Sequence, residues 1–227
     1  MGVQGYGQFC PVAMTAEILG SRWTVVLLRE LIAGSTRFND LRKGVSRMSP
    51  TLLSKRLREL EQFGIIERTS TRSAEYRLTD AGRDLKLVVD AFGIWGQRWM
   101  SKEVALQNLD PFLLMLDMKR NVDPGNMPKK QAVIHIRFPE LSSSRRRWWL
   151  IVEGADVEIT QQDPSVDPDL TVESSLAVLT EIWMGLTTVR KQVAQKTLRL
   201  SGDRAIADTM QSWLGLSPFA PEPKRAA

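Results

Sequence analysis

Ser49-Pro50-Thr51-Leu52-Leu53-Ser54-Lys55-Arg56-Leu57-Arg58-Glu59-Leu60 reads as a helix with two unlike faces. Ser49 offers a side-chain oxygen to the first turn, and Pro50 suits the first helical position, where a missing N–H costs nothing. Leu53, Leu57 and Leu60 recur at helical spacing, which predicts a buried stripe. Thr51, Ser54, Lys55 and Arg58 gather opposite, so one face packs inward and the other can meet a polyanion.

The neighbouring sequence completes a motif. Phe38-Asn39-Asp40-Leu41-Arg42-Lys43 predicts a short helix ending at Gly44, and residues 45–48 form a tight connection into the Ser49 cap. After Gly64, two strand-like runs, 65–68 and 76–78, flank a polar loop, residues 69–75, and predict a hairpin or wing. Between Arg37 and Arg58 stand seven basic residues and one acid, Asp40. A solvated helix face ordinarily mixes signs, whereas this one carries the local positive field that a phosphate backbone requires.

Across the whole chain the excess charge is concentrated. Residues 1–100 hold fifteen Lys and Arg against ten Asp and Glu, and residues 101–227 hold sixteen of each. With 227 residues, 43% hydrophobic and 25% charged, the chain is long enough for two modest domains of ordinary globular composition. No apolar run approaches the roughly 20 residues that span a bilayer, and the N-terminus lacks a signal-peptide layout, so a cytoplasmic protein without membrane association is expected. One Cys and one His leave no intrachain disulfide, no Cys/His zinc site and no His-containing triad within a single chain. No catalytic residue, metal or cofactor is expected, and the chain is not read as an enzyme.

The run Cys10-Pro11-Val12, then Gly20-Ser21-Arg22-Trp23-Thr24, Leu28-Arg29-Glu30-Leu31, Arg37-Phe38-Asn39-Asp40-Leu41, the Ser49 to Leu57 segment and Tyr76-Arg77-Leu78-Thr79-Asp80-Ala81-Gly82 resembles the HxlR-type winged helix-turn-helix transcription regulators of bacteria. The resemblance covers residues 9–99. By the usual docking of such a motif, the second helix enters the major groove and the hairpin crosses the adjacent backbone. Thr51, Ser54, Lys55 and Arg58 are therefore expected at the groove, Arg37, Arg47 and Ser49 at phosphates, and Arg72 at the wing tip in the neighbouring minor groove or on a phosphate. Arg56 sits nearer the flank of the helix.

Ahead of the motif, a loose arm over residues 1–8 precedes a helix through Met14, Ile18 and Leu19, and a second helix runs from Arg22 to Leu31 with Trp23, Val26, Leu27 and Leu31 spaced for burial. Two readings of Cys10 stay open. It is a thiol at a helix N-terminus, where the dipole favours the thiolate, and the resemblance implies a sensor of oxidants or electrophiles; or it is a small residue packing a dimer. After the wing, Thr79 caps a helix running to about Trp99. Its apolar positions are Leu85, Val88, Val89, Phe92, Trp95 and Trp99, and Leu87, Ala91 and Ile94 widen the surface beyond what one small domain covers, so a partner helix or the chain's own second half is expected against it. The resemblance implies a homodimer built on this helix and the N-terminal one, which would present paired reading helices to a pseudo-palindromic double-stranded operator about 34 Å between half-sites.

The expected domains are 1–100 for DNA binding and dimerisation, a linker over 101–109, a second domain over 110–220 and a flexible tail over 221–227. In the second domain, after a helix over 110–120, the period becomes alternating through 132–138, 147–152, 157–160 and 170–172, which predicts an antiparallel meander. Helices over 174–184, 189–195 and 203–214 and a short strand at 198–200 complete it, so the fold class is α+β with a sheet covered by helices on one face. Asp169-Leu170-Thr171-Val172, Leu179-Thr180-Glu181-Ile182-Trp183-Met184-Gly185 and Leu198-Arg199-Leu200-Ser201-Gly202-Asp203 resemble the sterol carrier protein type 2 fold. That resemblance implies an apolar tunnel and a hydrophobic small-molecule effector, with Trp148, Trp149, Ile182, Trp183, Met184, Trp213 and Phe219 near it. His135 is expected at the solvent or against a cross-strand neighbour.

The function expected is a homodimeric, sequence-specific DNA-binding regulator whose DNA affinity is modulated by a hydrophobic molecule. The alternatives are a regulator switched at Cys10 with a structural second domain, or a lipid carrier tethered to DNA.

Overall fold

The computed structural model describes residues 5–69 and 74–225. The chain forms two compact units, Met1–Gly93 and Ile94–Ala227. In the first, helices α1 (Pro11–Leu19), α2 (Thr24–Ile32), α3 (Phe38–Gly44) and α4 (Pro50–Gln62) precede strands β1 (Ile66–Arg68) and β2 (Tyr76–Leu78) and helix α5 (Asp80–Trp99). β1 and β2 pair antiparallel, Ile66 opposite Leu78, so the helix-turn-helix and its hairpin lie where the sequence predicts them.

Local chemistry accounts for these boundaries. Ser49 Oγ accepts from the Leu52 N–H at 3.2 Å and starts α4. Gly64, at φ +67°, lets the chain leave α4 in a left-handed turn. The Thr79 hydroxyl donates to the Gly64 carbonyl at 2.6 Å and accepts from the Gly82 N–H at 3.2 Å, tying the end of α4 to the start of α5. The second helix begins at Thr24 and not at Arg22, because Trp23 adopts φ 80° and turns the chain before the helix forms. Val26 is accordingly exposed, while Leu27, Leu28, Leu41 and Leu53 are wholly enclosed at the centre of this unit.

The break between units falls inside α5 and not after residue 100, because the helix's last residues pack with the second unit. The Gln97 amide donates to the Met184 carbonyl at 3.0 Å, and the Arg225 N–H to the Arg98 carbonyl at 2.8 Å. Neither the linker nor the tail is as expected. Ser101 caps a short helix, α6 (Lys102–Leu106), and Lys224 Nζ donates to the Met100 carbonyl at 2.7 Å, so residues 221–225 are tied down.

Next come α7 (Pro111–Asn121), capped by Asp110, and a 3-10 turn (Pro124–Asn126). Strands β3 (Gln131–Arg137), β4 (Arg147–Glu153), β5 (Asp156–Thr160) and β6 (Leu170–Ser174) come after it, then α8 (Leu176–Trp183), α9 (Val189–Ala194), β7 (Leu198–Gly202), α10 (Arg204–Asp208) and α11 (Met210–Trp213). The strand order is β5-β4-β3-β6-β7, and β3 with β6 is parallel, which corrects the antiparallel meander. The chain leaves edge strand β5 and must pass β4 and β3 before it pairs again, so it re-enters in the direction it left. Residues 161–169 make that return. The predicted helix over 203–214 is two helices, interrupted at Thr209.

Lys129 Nζ holds Asp169 and Asp203 together at 2.8 Å each, fixing the start of β6 to the N-cap of α10. One sheet face, with Ile134, Ile136, Leu150 and Val172 fully buried or nearly so, packs on Met115, Met118, Leu179, Ile182, Ile206 and Trp213.

Candidate nucleic-acid interface

Helix α4 separates its faces as sharply as its sequence does. Leu53, Leu57 and Leu60 are at most 1% exposed, each worth roughly 1.5–3 kcal/mol of burial, and this holds the opposite face outward. On that face Thr51, Lys55 and Arg58 are exposed and Ser54 is half-buried. Lys55 Nζ stands 3.9 Å from the Glu59 carboxylate, and Arg58 Nε donates to the Ser54 carbonyl at 3.3 Å. Arg47 and Ser49 are exposed at the approach to the helix, with the Ser49 oxygen engaged as the cap.

Arg37 is engaged with the wing. Its Nε is 3.6 Å from Glu75, which also accepts from Arg77 at 2.9 Å, and Arg37 and Glu75 form a β-bridge. The hydrogen bond from Arg77, reinforced by the charge of Arg37, holds the Glu75 carboxyl below its ordinary range. Arg72 lies outside the described residues.

At the wing base, a polar hollow of about 620 Å³ is lined by Arg37, Phe38, Asn39, Asp40, Lys43, Arg68, Ala74 and Tyr76. Asn39, Lys43 and Arg68 were missed as site residues. Lys43 was visible only as one of seven charges, and Arg68 reaches this place through the pairing of β1 with β2, which brings it opposite Tyr76. Three cations against one acid make the hollow an anion-favouring surface.

Residues 18–104 match the family described as HxlR-like helix-turn-helix. The uncharacterised HTH-type transcriptional regulator YdeP of Bacillus subtilis (strain 168) is 37% identical over 97 residues, spanning 41% of this chain and 76% of that protein. The chain belongs to the HxlR-like helix-turn-helix family. The uncharacterised HTH-type regulator MT3179 of Mycobacterium tuberculosis (strain CDC 1551 / Oshkosh) is 38% identical over 95 residues, 40% of this chain and 60% of that one. A solved structure described as the redox regulator HypR in its reduced form is 34% identical, covering 39% of this chain and 91% of that chain, with a TM-score of 0.37.

In this HxlR-like chain, α5 divides the residues expected at a dimer interface. Val89 is buried in the chain's own core and the half-buried Leu85 packs against it, since they share one face at i and i+4. Val88 is half-buried, whereas Phe92, Trp95 and Trp99 are 60%, 57% and 45% exposed. In the first unit α1 exposes Val12 and Met14, and an apolar groove of about 700 Å³ runs along α1, α2 and α5, lined by Val12, Leu19, Trp23, Val26, Val88 and Phe92 among others. Cys10 is a free, exposed thiol at the N-cap of α1.

Of the residues expected around an apolar tunnel in the second unit, Trp148, Ile182, Trp183 and Trp213 meet in one packed core, and Trp149 lies apart from them. Trp148 and Trp149 are consecutive in β4 and point to opposite sheet faces. Trp148 belongs to the helix-covered core, and Trp149 stacks on His135 with ring centroids 4.7 Å apart. Ile182 and Trp213 have no exposed surface, and the Trp213 indole N–H donates to the Ile206 carbonyl at 2.8 Å. Trp183 is a partly buried member packed on the same core, and Met184 is half-buried at the end of α8, where its carbonyl accepts from Gln97. These are packing roles. Among the described residues no helix is long and apolar enough to cross a membrane, and no group of three His, Cys, Asp or Glu is placed to hold a metal ion.

Proposed function

We propose that this chain is a DNA-binding transcription regulator that acts as a homodimer, with α4 in the major groove of a pseudo-palindromic site. The observation that carries the reading is the outward face of α4, where Thr51, Lys55 and Arg58 stand exposed above a stripe of buried leucines. Ser54 completes the groove-facing set, and Arg47, Ser49 and the wing-base cations Arg37, Lys43 and Arg68 take the flanking phosphates. The relatives are named as transcriptional regulators of the same helix-turn-helix type, which supports it.

The dimer surface is the exposed aromatic set of α5, Phe92, Trp95 and Trp99. An exposed set of large aromatic side chains on one helix is the kind of apolar surface that soluble proteins cover with a partner. Cys10 stands at the N-cap of α1, and its exposure favours a second input, a thiol whose oxidation or alkylation shifts the dimer. In the second unit, the enclosed packing of Ile182 and Trp213 favours a structural body over a carrier of apolar ligand, and mass spectrometry of an organic extract of the purified protein separates the two.

The DNA reading is tested by selecting a fragment from a random-sequence pool with the full chain, then measuring its affinity across salt concentrations for the wild type, Lys55→Ala and Arg58→Ala. Each variant is expected to bind more weakly. One that contacts phosphate also reduces the slope of log affinity against log salt by about 0.9, and one that reads a base leaves the slope and relaxes sequence preference. Wild-type affinity in both variants would sink the assignment.

A further inference from the structure

Arg56 lies on the reading helix yet does not face outward with Lys55 and Arg58. Its side chain is 15% exposed, its Nε donates to the Arg22 carbonyl at 3.3 Å, and its Nη1 pairs with Glu59. Glu59 is also the carboxylate that Lys55 approaches at 3.9 Å, one helical turn away. One acid is therefore shared by two cations of opposite purpose, a largely buried arginine anchored on the turn before α2 and a 62% exposed lysine on the DNA-facing side.

We propose that Arg56 is a positioning residue that regulates how freely Lys55 meets DNA. The anchor on Arg22 aims the guanidinium at Glu59, and a planar guanidinium satisfies a carboxylate better than a flexible ammonium does. Glu59 is thereby occupied, and Lys55 swings to the DNA at small cost. Without Arg56 the carboxylate has one cation left, and Lys55 folds back along the helix onto it. The anchor point is itself placed by the left-handed turn at Trp23, whose ring lies 5.7 Å from the Arg22 guanidinium. Arg22 and Trp23 also line the apolar groove.

The proposal rests on α4 being the DNA-reading helix, and the test keeps the two apart. Affinity for the selected fragment is measured for the full chain carrying Arg56→Gln alone, and carrying it in Glu59→Gln and in Lys55→Ala backgrounds. The expected result is a fivefold or greater loss from Arg56→Gln in the wild type and less than twofold in either background, because the effect runs through Glu59 and needs Lys55. Equal losses in all three backgrounds overturn the proposal and make Arg56 a direct contact or a general support of the helix. An unchanged affinity overturns it too. Should Arg56→Gln lack a cooperative thermal transition above assay temperature, Arg56→Lys replaces it, with a two- to fivefold loss that again vanishes in Glu59→Gln; persistence there overturns it. Failure of the underlying reading looks different, since Lys55→Ala and Arg58→Ala would then bind as wild type whatever residue 56 is.

Discussion

Arg98 of α5 and Glu222 of the C-terminal segment, 124 positions apart, form an ion pair with the guanidinium Nε 2.7 Å from the carboxylate. The Arg225 N–H and Lys224 Nζ meet the Arg98 and Met100 carbonyls nearby, so the end of α5, whose last carbonyls lack helical partners, is capped by the other end of the chain. Glu222→Ala is expected to lower stability by about 1 kcal/mol, the upper range for a partly exposed pair. Removal of residues 219–227 should cost more, because the backbone and lysine caps go with it. Urea unfolding of the three proteins measures both.

Ser49 caps α4 and is proposed at a phosphate, and substitution separates the two. Ser49→Ala removes the cap of α4 and should cost about 1 kcal/mol, read as a lower denaturant midpoint. Ser49→Asp keeps the cap and stability but sets a negative charge where a phosphate is expected, so DNA affinity should fall while the midpoint stays. Weakened binding in Ser49→Ala alone would place the hydroxyl in folding only.

The two faces of α5 predict opposite outcomes. Trp95→Glu, at a residue 57% exposed, should leave a folded protein that sediments as a monomer and binds the selected DNA at least tenfold more weakly. Val89→Ala, at a buried residue, should destabilise by about 1–3 kcal/mol while the protein stays dimeric. Analytical ultracentrifugation beside thermal unfolding decides, and a dimeric Trp95→Glu protein would refute the interface.

His135 is the chain's one histidine, so its imidazole gives one resolvable titration. Burial lowers its pKa first, and Arg137 and Arg147 push the same way against the opposing charge of Asp163. A folded pKa below the ordinary 6.5 means that its contribution to stability is present above that value and is lost as pH falls through the lowered one. The NMR midpoint should lie below 6.5, and acidification from neutral pH should destabilise the wild type more than His135→Phe, which keeps a ring on Trp149. A midpoint at or above 6.5 would contradict this.

The helix-turn-helix was legible because its signals are local. Ser49 and Pro50 open the reading helix, three leucines mark its buried face, and Gly64 and Thr79 bracket the hairpin on either side. Lys55 and Arg58 could be picked out by their place on the opposite face. Arg56 could not, since its partner on the Arg22 carbonyl is 34 residues away and a backbone oxygen carries no sequence signature. Glu222 likewise meets Arg98 of α5 across 124 positions.

The amino-acid order by itself determined most of the elements, because capping, turn and periodicity act over a few residues and each has a chemical mark. It also determined the basic first half and the switch to alternating strands in the second. Tertiary structure alone decided the sheet order, with β3 beside β6, since strand pairing is chosen by burial across the whole unit and not by neighbours in sequence. It alone decided that Trp148 and Trp149 serve opposite faces and that Val89 turns inward while Trp95 turns outward. Helical and strand periods specify which residues share a face, but only packing against the rest of the chain determines which face is covered.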